Sequence, residues 1–166
     1  MKYFLIILFV LLNVSGFSQE LPTEPANGFS FPIGSKFTIK LYPKDSANFD
    51  YSIIRFEPFH EVVDMWANDK LFQETGDEES IEFYFCLGTR GETDEEREEN
   101  MKVLLLMKNY TKYRLSYQSD ILISEDGEFQ ETSNVGSFPG AKGTEIWPYM
   151  IYEIGLHDFK IMNFNP

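Results

Sequence analysis

The sequence is poor in cysteine, histidine and basic residues. Its 166 residues include one cysteine, two histidines and 14 lysines and arginines, against 27 aspartates and glutamates. The single cysteine excludes an internal disulfide and a zinc site built from several cysteines. The net charge of −13 argues against nucleic acid or an anionic membrane surface as the main partner. Since 43% of the residues are hydrophobic, the chain has enough apolar side chains to fold, and its length suits one domain.

The longest uninterrupted apolar run lies at the start of the chain. Met1-Lys2 is closely followed by nine apolar residues, Phe4 to Leu12, and small residues precede Gln19. This pattern is typical of a secretory signal peptide over residues 1–18, cut between Ser18 and Gln19. Nine helical residues span about 14 Å, half of a ~30 Å hydrocarbon core, so a permanent anchor is the weaker alternative. We therefore predict an exported protein, periplasmic or extracellular, with no membrane span after signal removal.

After a proline-containing arm, residues 19–30, which we expect to be flexible, apolar and polar residues mostly alternate. Alternation with period two is typical of half-buried β-strands. It occurs in segments 36–42, 81–87 and 113–123, and segments 51–56 and 149–161 are further predicted strands. Segment 113–123 follows a predicted turn, residues 109–112, and this turn follows the apolar run from Val103 to Met107. We therefore predict a β-hairpin between the apolar run and segment 113–123.

Three further patterns refine the predicted strands. Val103 to Met107 is apolar on both faces, which indicates a central strand. The His157-Asp158 step suggests a β-bulge in the last strand. Cys86 lies inside an apolar strand and is expected to be buried, because an exposed thiol is a liability in an oxidising compartment.

The strand spacing predicts a mostly β protein, a single antiparallel β-sandwich of immunoglobulin-like type over residues 31–166. One segment departs from the strand pattern. Phe59 to Phe72 places apolar residues at spacings near 3.6, which indicates one short helix. The alternative for this segment is a strand, a loop and a second short strand. The predicted fold therefore contains at most one short helix.

The candidate sites are incomplete forms of known patterns. His60 and Asp64 stand where a zinc-protease motif has two histidines, and His157 is a conceivable third ligand, although a solvated surface explains these residues equally well. Acidic residues are concentrated in the segment from Glu74 to Glu99, on both sides of a predicted strand. They suggest calcium ligands on neighbouring loops or, alternatively, solubilising loops.

Glu145, Trp147 and Tyr149 form the strongest ligand-binding candidate. Aromatic rings beside a carboxylate can stack on the faces of sugars, so these residues predict a carbohydrate platform. The alternative is structural, with Trp147 closing one end of the sandwich. Neither alternative requires a cofactor, and none is predicted.

The absence of a coherent catalytic set favours binding over catalysis. We expect a non-catalytic binding or assembly module whose partner is an envelope protein or a polysaccharide, with some of the 16% aromatic residues lining a recognition surface. A glycan hydrolase using paired carboxylates, or a calcium-stabilised module, are the alternative functions. Whether the protein is an enzyme stays open from sequence alone.

Overall fold

The computed structural model describes residues 21–22 and 24–162, so the predicted signal peptide and the cut between Ser18 and Gln19 lie outside it. The strands are β1 (Gly28–Pro32), β2 (Ser35–Pro43), β3 (Asn48–Pro58), β4 (Val63–Asp64), β5 (Ser80–Thr89), β6 (Lys102–Asn109), β7 (Leu115–Leu122), β8 (Gln130–Thr132), β9 (Lys142–Trp147) and β10 (Glu153–Ile161). The described part also contains a 3-10 turn, Asp69–Leu71, and one short helix, α1 (Asp94–Glu99). No helix in residues 21–22 and 24–162 has the length and apolarity needed to cross a membrane.

All ten strands belong to one sheet. Its order is β8-β7-β10-β3-β2-β5-β6-β9, with β1 added to β10 and β4 added to β5. The pairings are antiparallel except that of β4 with β5, and the sheet curls into a half-barrel. The prediction of a mostly β, antiparallel fold is confirmed. The division into two immunoglobulin-like sheets is not, because one hydrogen-bonded ladder runs without interruption from β8 to β9.

The concave face of the sheet holds the main core. Alternation along β2 buries Phe37, Ile39 and Leu41 on this face, as the sequence predicts. Phe31 from β1 stacks on Phe37 with ring centroids 3.6 Å apart. Such alternate burial along each strand is the expected result of a pleated backbone with one dry face.

The convex face of β5 and β6 is also buried from solvent, because the connection between β3 and β5 covers it. Tyr84, Cys86, Leu104 and Leu106 form a second buried cluster there, into which residues 59–72 pack. Of the two alternatives left open for residues 59–72, the single helix is therefore wrong. This segment contains β4 and the 3-10 turn, and five of its apolar residues pack on the sheet: Phe59, Val63, Met65, Leu71 and Phe72.

Cys86 is buried in this second cluster, as expected. Its burial raises the pKa of the thiol to about 12, which keeps the group protonated and unreactive.

The hairpin predicted between β6 and β7 is wrong. β6 pairs with β5 and β9, whereas β7 pairs with β10 and β8, near the opposite end of the sheet. Because the sheet curls, the two strands nevertheless face each other, with the Tyr117 hydroxyl 3.7 Å from the sulfur of Met107. The segment between them is therefore a crossover over the open end of the half-barrel. We call this end the mouth; β2 and β6 end there, and β3 and β7 begin there.

Two local predictions concern β10 and the arm before β1. The pairing of β10 with β7 shifts register between His157 and Lys160, and Asp158 has a φ of 54°, so the predicted bulge is confirmed. Part of the segment expected to be a flexible arm is hydrogen-bonded into the sheet. Ala26 pairs with Tyr51, and residues 28–30 belong to β1.

Replacing Leu104 by alanine tests the covering of the convex face. Leu104 is fully buried, so the cavity should lower the free energy of unfolding by about 2–5 kcal/mol. Ile146→Ala is the matched control, because Ile146 lies directly opposite on β9 but is 38% exposed. Its cost should be about 1 kcal/mol or less in the same urea denaturation experiment. Equal costs would mean that residues 59–72 do not shield the face.

Candidate functional site

The crossover between β6 and β7 is organised by one buried amide. Asn109 has 0% of its surface exposed. Its side-chain oxygen accepts a hydrogen bond from the backbone N–H of Thr111 at 2.8 Å, and its amide nitrogen donates to the carbonyl of Tyr113 at 3.0 Å. Its backbone carbonyl accepts from Gly140 N–H at 2.8 Å. Asparagine suits this position because one planar group supplies both a donor and an acceptor.

The crossover forms one wall of a cleft at the mouth, which we call the mouth cleft. Its volume is about 390 Å³, within the range of about 300–1,000 Å³ that is usual for small-molecule sites. The residues that line it are Leu41, Pro43, Phe49, Glu78, Glu79, Tyr110, Thr111, Lys112 and Tyr113. An apolar floor thus meets a polar rim, which is the usual composition of a site that binds a ligand with both kinds of surface.

Aromatic packing fixes the floor of the mouth cleft. The rings of Phe49 and Tyr113 have centroids 5.1 Å apart and are tilted by 51°. The ammonium of Lys112 lies 5.4 Å from the centroid of the Tyr113 ring. These contacts orient Tyr113 between the buried core and the cleft.

Carboxylates dominate the opposite lip, just before β5. Glu79 binds the ammonium of Lys40 at 2.8 Å, and Asp77 lies 3.9 Å from the same nitrogen. The hydrogen bond to Glu79 raises the pKa of Lys40 above its usual 10.5, so this lysine stays charged. Glu78 is exposed beside them. The lip therefore offers hydrogen-bond acceptors and a negative potential to anything in the cleft.

Tyr110 stands at the outer wall of the mouth cleft in a fixed position. Its ring is so close to Gly76 that a Cβ on that residue would lie 2.7 Å from the ring. Its hydroxyl lies 3.0 Å from the carbonyl of Gln73 and 3.2 Å from the carboxylate of Glu82. Burial, reinforced by Glu82, raises the pKa of Tyr110 to about 12. The tyrosine therefore remains a neutral hydrogen-bonding group at any ordinary pH.

The predicted carbohydrate residues Glu145, Trp147 and Tyr149 do not share one exposed surface. Glu145 and Trp147 point into the half-barrel, where 9% and 5% of their surfaces are exposed, whereas Tyr149 is 49% exposed on the following loop. The indole nitrogen of Trp147 donates to the Thr132 hydroxyl at 3.4 Å. Trp147 thus occupies the position that the structural alternative predicts, at one end of the core.

Glu145 is a buried carboxylate that ties β9 to the other edge of the sheet. It accepts a hydrogen bond from the backbone N–H of Val135, in the connection between β8 and β9. Burial raises the pKa of Glu145, while hydrogen bonds from Val135 and Tyr117 act in the opposite direction. Its contacts are those of a structural link between the two edges of the half-barrel.

The proposed metal ligands His60, Asp64 and His157 are dispersed. Asp64 accepts hydrogen bonds from the N–H groups of Trp66 and Ala67 at 2.8 and 2.7 Å, so it caps a turn. His60 is exposed before β4 on one side of the sheet, and His157 lies on β10, three positions from β5 in the strand order. Within residues 21–22 and 24–162, no three histidine, cysteine, aspartate or glutamate side chains are placed to hold a metal ion.

His157 instead lies between two aspartates at the bulge. Its Nε2 is 3.1 Å from Asp120 on β7, and its Nδ1 is 2.8 Å from Asp158. Asn27 donates to the other oxygen of Asp158 at 2.9 Å, which ties in the segment before β1. Burial alone would lower the pKa of His157, but the two aspartates outweigh it and raise the pKa above 6.5.

The two halves of the acidic segment lie at opposite ends of β5. Residues 74–79 precede this ten-residue strand at the mouth, and residues 92–99 follow it at the far end, roughly 30 Å away. They are therefore not neighbouring loops. The second half contains α1, and Thr93 and Glu96 form a capping box at the start of this helix. Acidic residues in the first turn of a helix are stabilising, which gives this part of the segment a structural role.

The mouth cleft was not identified from the sequence. Asn109, Tyr110, Thr111 and Lys112 have the composition of a tight turn, which predicts a hairpin. The apolar second face of β6 indicates a strand that is covered on both faces, but it does not specify which strands pair with it.

Comparison of the chain with protein families, with curated proteins and with solved structures gave no match in any of the three.

Replacing Asn109 by alanine tests the role of this amide. The change leaves the Thr111 N–H and the Tyr113 carbonyl without these partners, which should lower the free energy of unfolding by about 2–4 kcal/mol. Asn134→Ala is the matched control, since Asn134 also makes two side-chain hydrogen bonds but is only half-buried. Its cost should be at most half as large in urea denaturation. A larger cost for Asn134 would contradict the central position given to Asn109.

The His157 site predicts a pH dependence of stability. Because the folded-state pKa of His157 is raised, its stabilising effect is complete below about pH 6.5 and is lost as pH rises through the folded-state value. The free energy of unfolding should therefore fall as the pH rises above about 6.5, and His157→Gln should remove this part of the fall. Gln118→Ala, which changes an uncharged neighbour of Asp120, should retain it. An unchanged slope in His157→Gln would refute the prediction.

Proposed function

We propose that the chain is an exported, non-catalytic binding module that holds a segment of neutral polysaccharide in the mouth cleft. The observation that supports this function most directly is the composition of the cleft, an apolar floor containing Phe49 and Tyr113 under a lip of carboxylates. The proposed export depends on the signal-peptide pattern of residues 1–18.

A sugar ring matches both surfaces of the mouth cleft. Its C–H faces are apolar and pack on aromatic rings, while its hydroxyls donate hydrogen bonds to carboxylates. Glu78 and Glu79 supply acceptors at the lip, and Lys112 supplies a donor on the facing wall. The excess of carboxylates disfavours acidic polysaccharides, because like charges repel across a cleft that is partly shielded from water.

A binding role agrees better with the buried carboxylates than the hydrolase alternative does. A glycosidase needs two carboxylates about 5–9 Å apart that flank one bond. Among the described residues, Glu82 and Glu145 are the buried acids, and they lie on opposite faces of the sheet. Glu82 is also paired with the ammonium of Lys36 at 3.3 Å on the convex face. The calcium-stabilised module remains a separate prediction, tested by melting the protein with and without a chelator.

Binding to an array of neutral and acidic glycans tests the proposal. Neutral glycans should bind, and calorimetry with the best of them should give an affinity that falls about fivefold in Tyr113→Ala. This corresponds to the loss of about 1 kcal/mol of ring contact. Glu78→Ala should also weaken binding, and since Glu78 is exposed, this variant should fold normally.

Tyr149→Ala is the control for this experiment, because Tyr149 is an exposed aromatic residue far from the mouth cleft. It should leave the affinity unchanged. The proposal fails if no neutral glycan binds, if acidic glycans bind better, or if neither Tyr113→Ala nor Glu78→Ala weakens binding.

A further inference from the structure

The end of the half-barrel opposite the mouth carries a group of exposed apolar side chains, which we call the distal rim. Its members lie on the loop between β7 and β8 and on the loop between β9 and β10. They are Ile123 (41% exposed), Phe129 (46%), Tyr149 (49%), Met150 (47%) and Tyr152 (38%). Five large apolar side chains on two loops are more than scattered surface residues, and such groups mark interaction sites.

Backbone hydrogen bonds hold the two loops of the distal rim side by side. The N–H of Tyr152 donates to the carbonyl of Leu122 at 2.8 Å, and the carbonyl of Tyr152 accepts from Ile33 N–H at 2.9 Å. A turn closes the first loop, with Gly127 N–H donating to Ser124 C=O at 3.0 Å. The apolar side chains therefore project from adjacent and fixed segments.

The charged residues on the two loops of the distal rim, and on the strand residues next to them, have one sign. Residues 122–132 and 148–153 include five acids and no lysine or arginine: Glu125, Asp126, Glu128, Glu131 and Glu153. The first four of these are exposed. An apolar surface framed by carboxylates is complementary to a segment that carries both apolar and basic side chains.

This charge argues against two other occupants. A second copy of the chain would bring a second set of five acids against the first, and an anionic membrane would repel the same residues. The net charge of −13 adds to both effects.

The sheet edge beside the distal rim can add to binding of an extended segment. β8 follows Phe129 directly and, among the described strands, pairs only with β7. A short edge strand of this kind offers backbone groups to an added strand, while neighbouring side chains select its sequence.

We propose that the distal rim binds a basic, apolar segment of a partner protein. This inference is independent of polysaccharide binding, because the two surfaces lie at opposite ends of the half-barrel. The protein would then connect a protein partner at the distal rim with a glycan at the mouth.

Selection of short random peptides displayed on phage tests the proposal directly. The immobilised chain is the target, and the double variant Tyr149→Ser/Met150→Ser is used for counter-selection. Both residues are about half exposed, so the variant should fold. Enriched peptides should combine lysine or arginine with aromatic or aliphatic residues. They should bind the wild-type chain at least about tenfold more tightly than the variant, and binding should weaken as ionic strength rises.

Two further variants separate the contributions. Glu125→Gln/Asp126→Asn/Glu128→Gln should weaken peptide binding and reduce its salt dependence, since it removes charge without removing the apolar contacts. Tyr113→Ala, at the mouth, should leave peptide binding unchanged, so that failure of glycan binding and failure of this proposal can be distinguished.

Three results would overturn the proposal. The first is that no peptide is enriched over the counter-selected variant, or that the enriched peptides are acidic or uncharged. The second is a dimer in sedimentation experiments that Tyr149→Ser/Met150→Ser abolishes, which would assign the rim to a second copy. The third is rim-dependent binding to vesicles of phosphatidylcholine and phosphatidylglycerol without any peptide binding, which would assign it to a membrane.

Discussion

The hydrogen bonds of one buried side chain, Asn109, determine the shape of the mouth. β6 and β7 lie in distant parts of the sheet, so the chain between them must cross the open end of the half-barrel. One N–H of the crossing segment reaches a strand, that of Tyr110, which donates to the carbonyl of Ser80 on β5 at 3.1 Å. Other backbone groups of the segment depend on side chains, and buried backbone groups without partners are costly. Asn109 supplies both a donor and an acceptor to this segment. The wall of the mouth cleft, with Tyr110 and Tyr113, therefore depends on this amide.

The rest of the molecule makes that crossing rigid. The aromatic core fills the concave side, where Tyr51 donates a hydrogen bond to the carbonyl of Leu156 at 2.6 Å. Residues 59–72 cover the convex side of β5 and β6. The two edges of the sheet are linked by Glu145 on β9, which accepts a hydrogen bond from the segment that follows β8. The half-barrel therefore carries a cleft with an apolar floor and a polar lip at one end and exposed apolar side chains with acidic residues beside them at the other.

Much of the strand content could be predicted from the sequence, because a strand with one buried face and one solvent-exposed face has alternating apolar and polar residues. Lys36 to Tyr42 and the bulge at His157 are examples. The order of the strands in the sheet could not be predicted. Alternation specifies which face of the sheet a side chain lies on, but it does not specify which strand pairs with which. The apolar spacing of residues 59–72 suggests a helix incorrectly for a related reason. Their apolar side chains are spaced as in a helix, but they cover a convex sheet surface that is itself invisible in the local sequence.

Site prediction failed in the same way. Glu145, Trp147 and Tyr149 are close in sequence, yet strand pleating buries the first two and the loop exposes the third. The mouth cleft joins residues from β2, β3, the segment before β5 and the crossover, and no short motif contains them. The exposed aromatic residues expected from composition are present, and Tyr149 is one of them.

Amide hydrogen exchange at the crossover tests this account most directly. The N–H of Thr111 donates to the buried oxygen of Asn109, and that of Tyr113 donates to the Thr111 hydroxyl at 3.1 Å. If the crossover is a rigid wall, both amides should exchange as slowly as those in the central strands β5 and β6. Exchange at the rate of an open surface loop would mean that the mouth has no fixed wall, and would contradict the account.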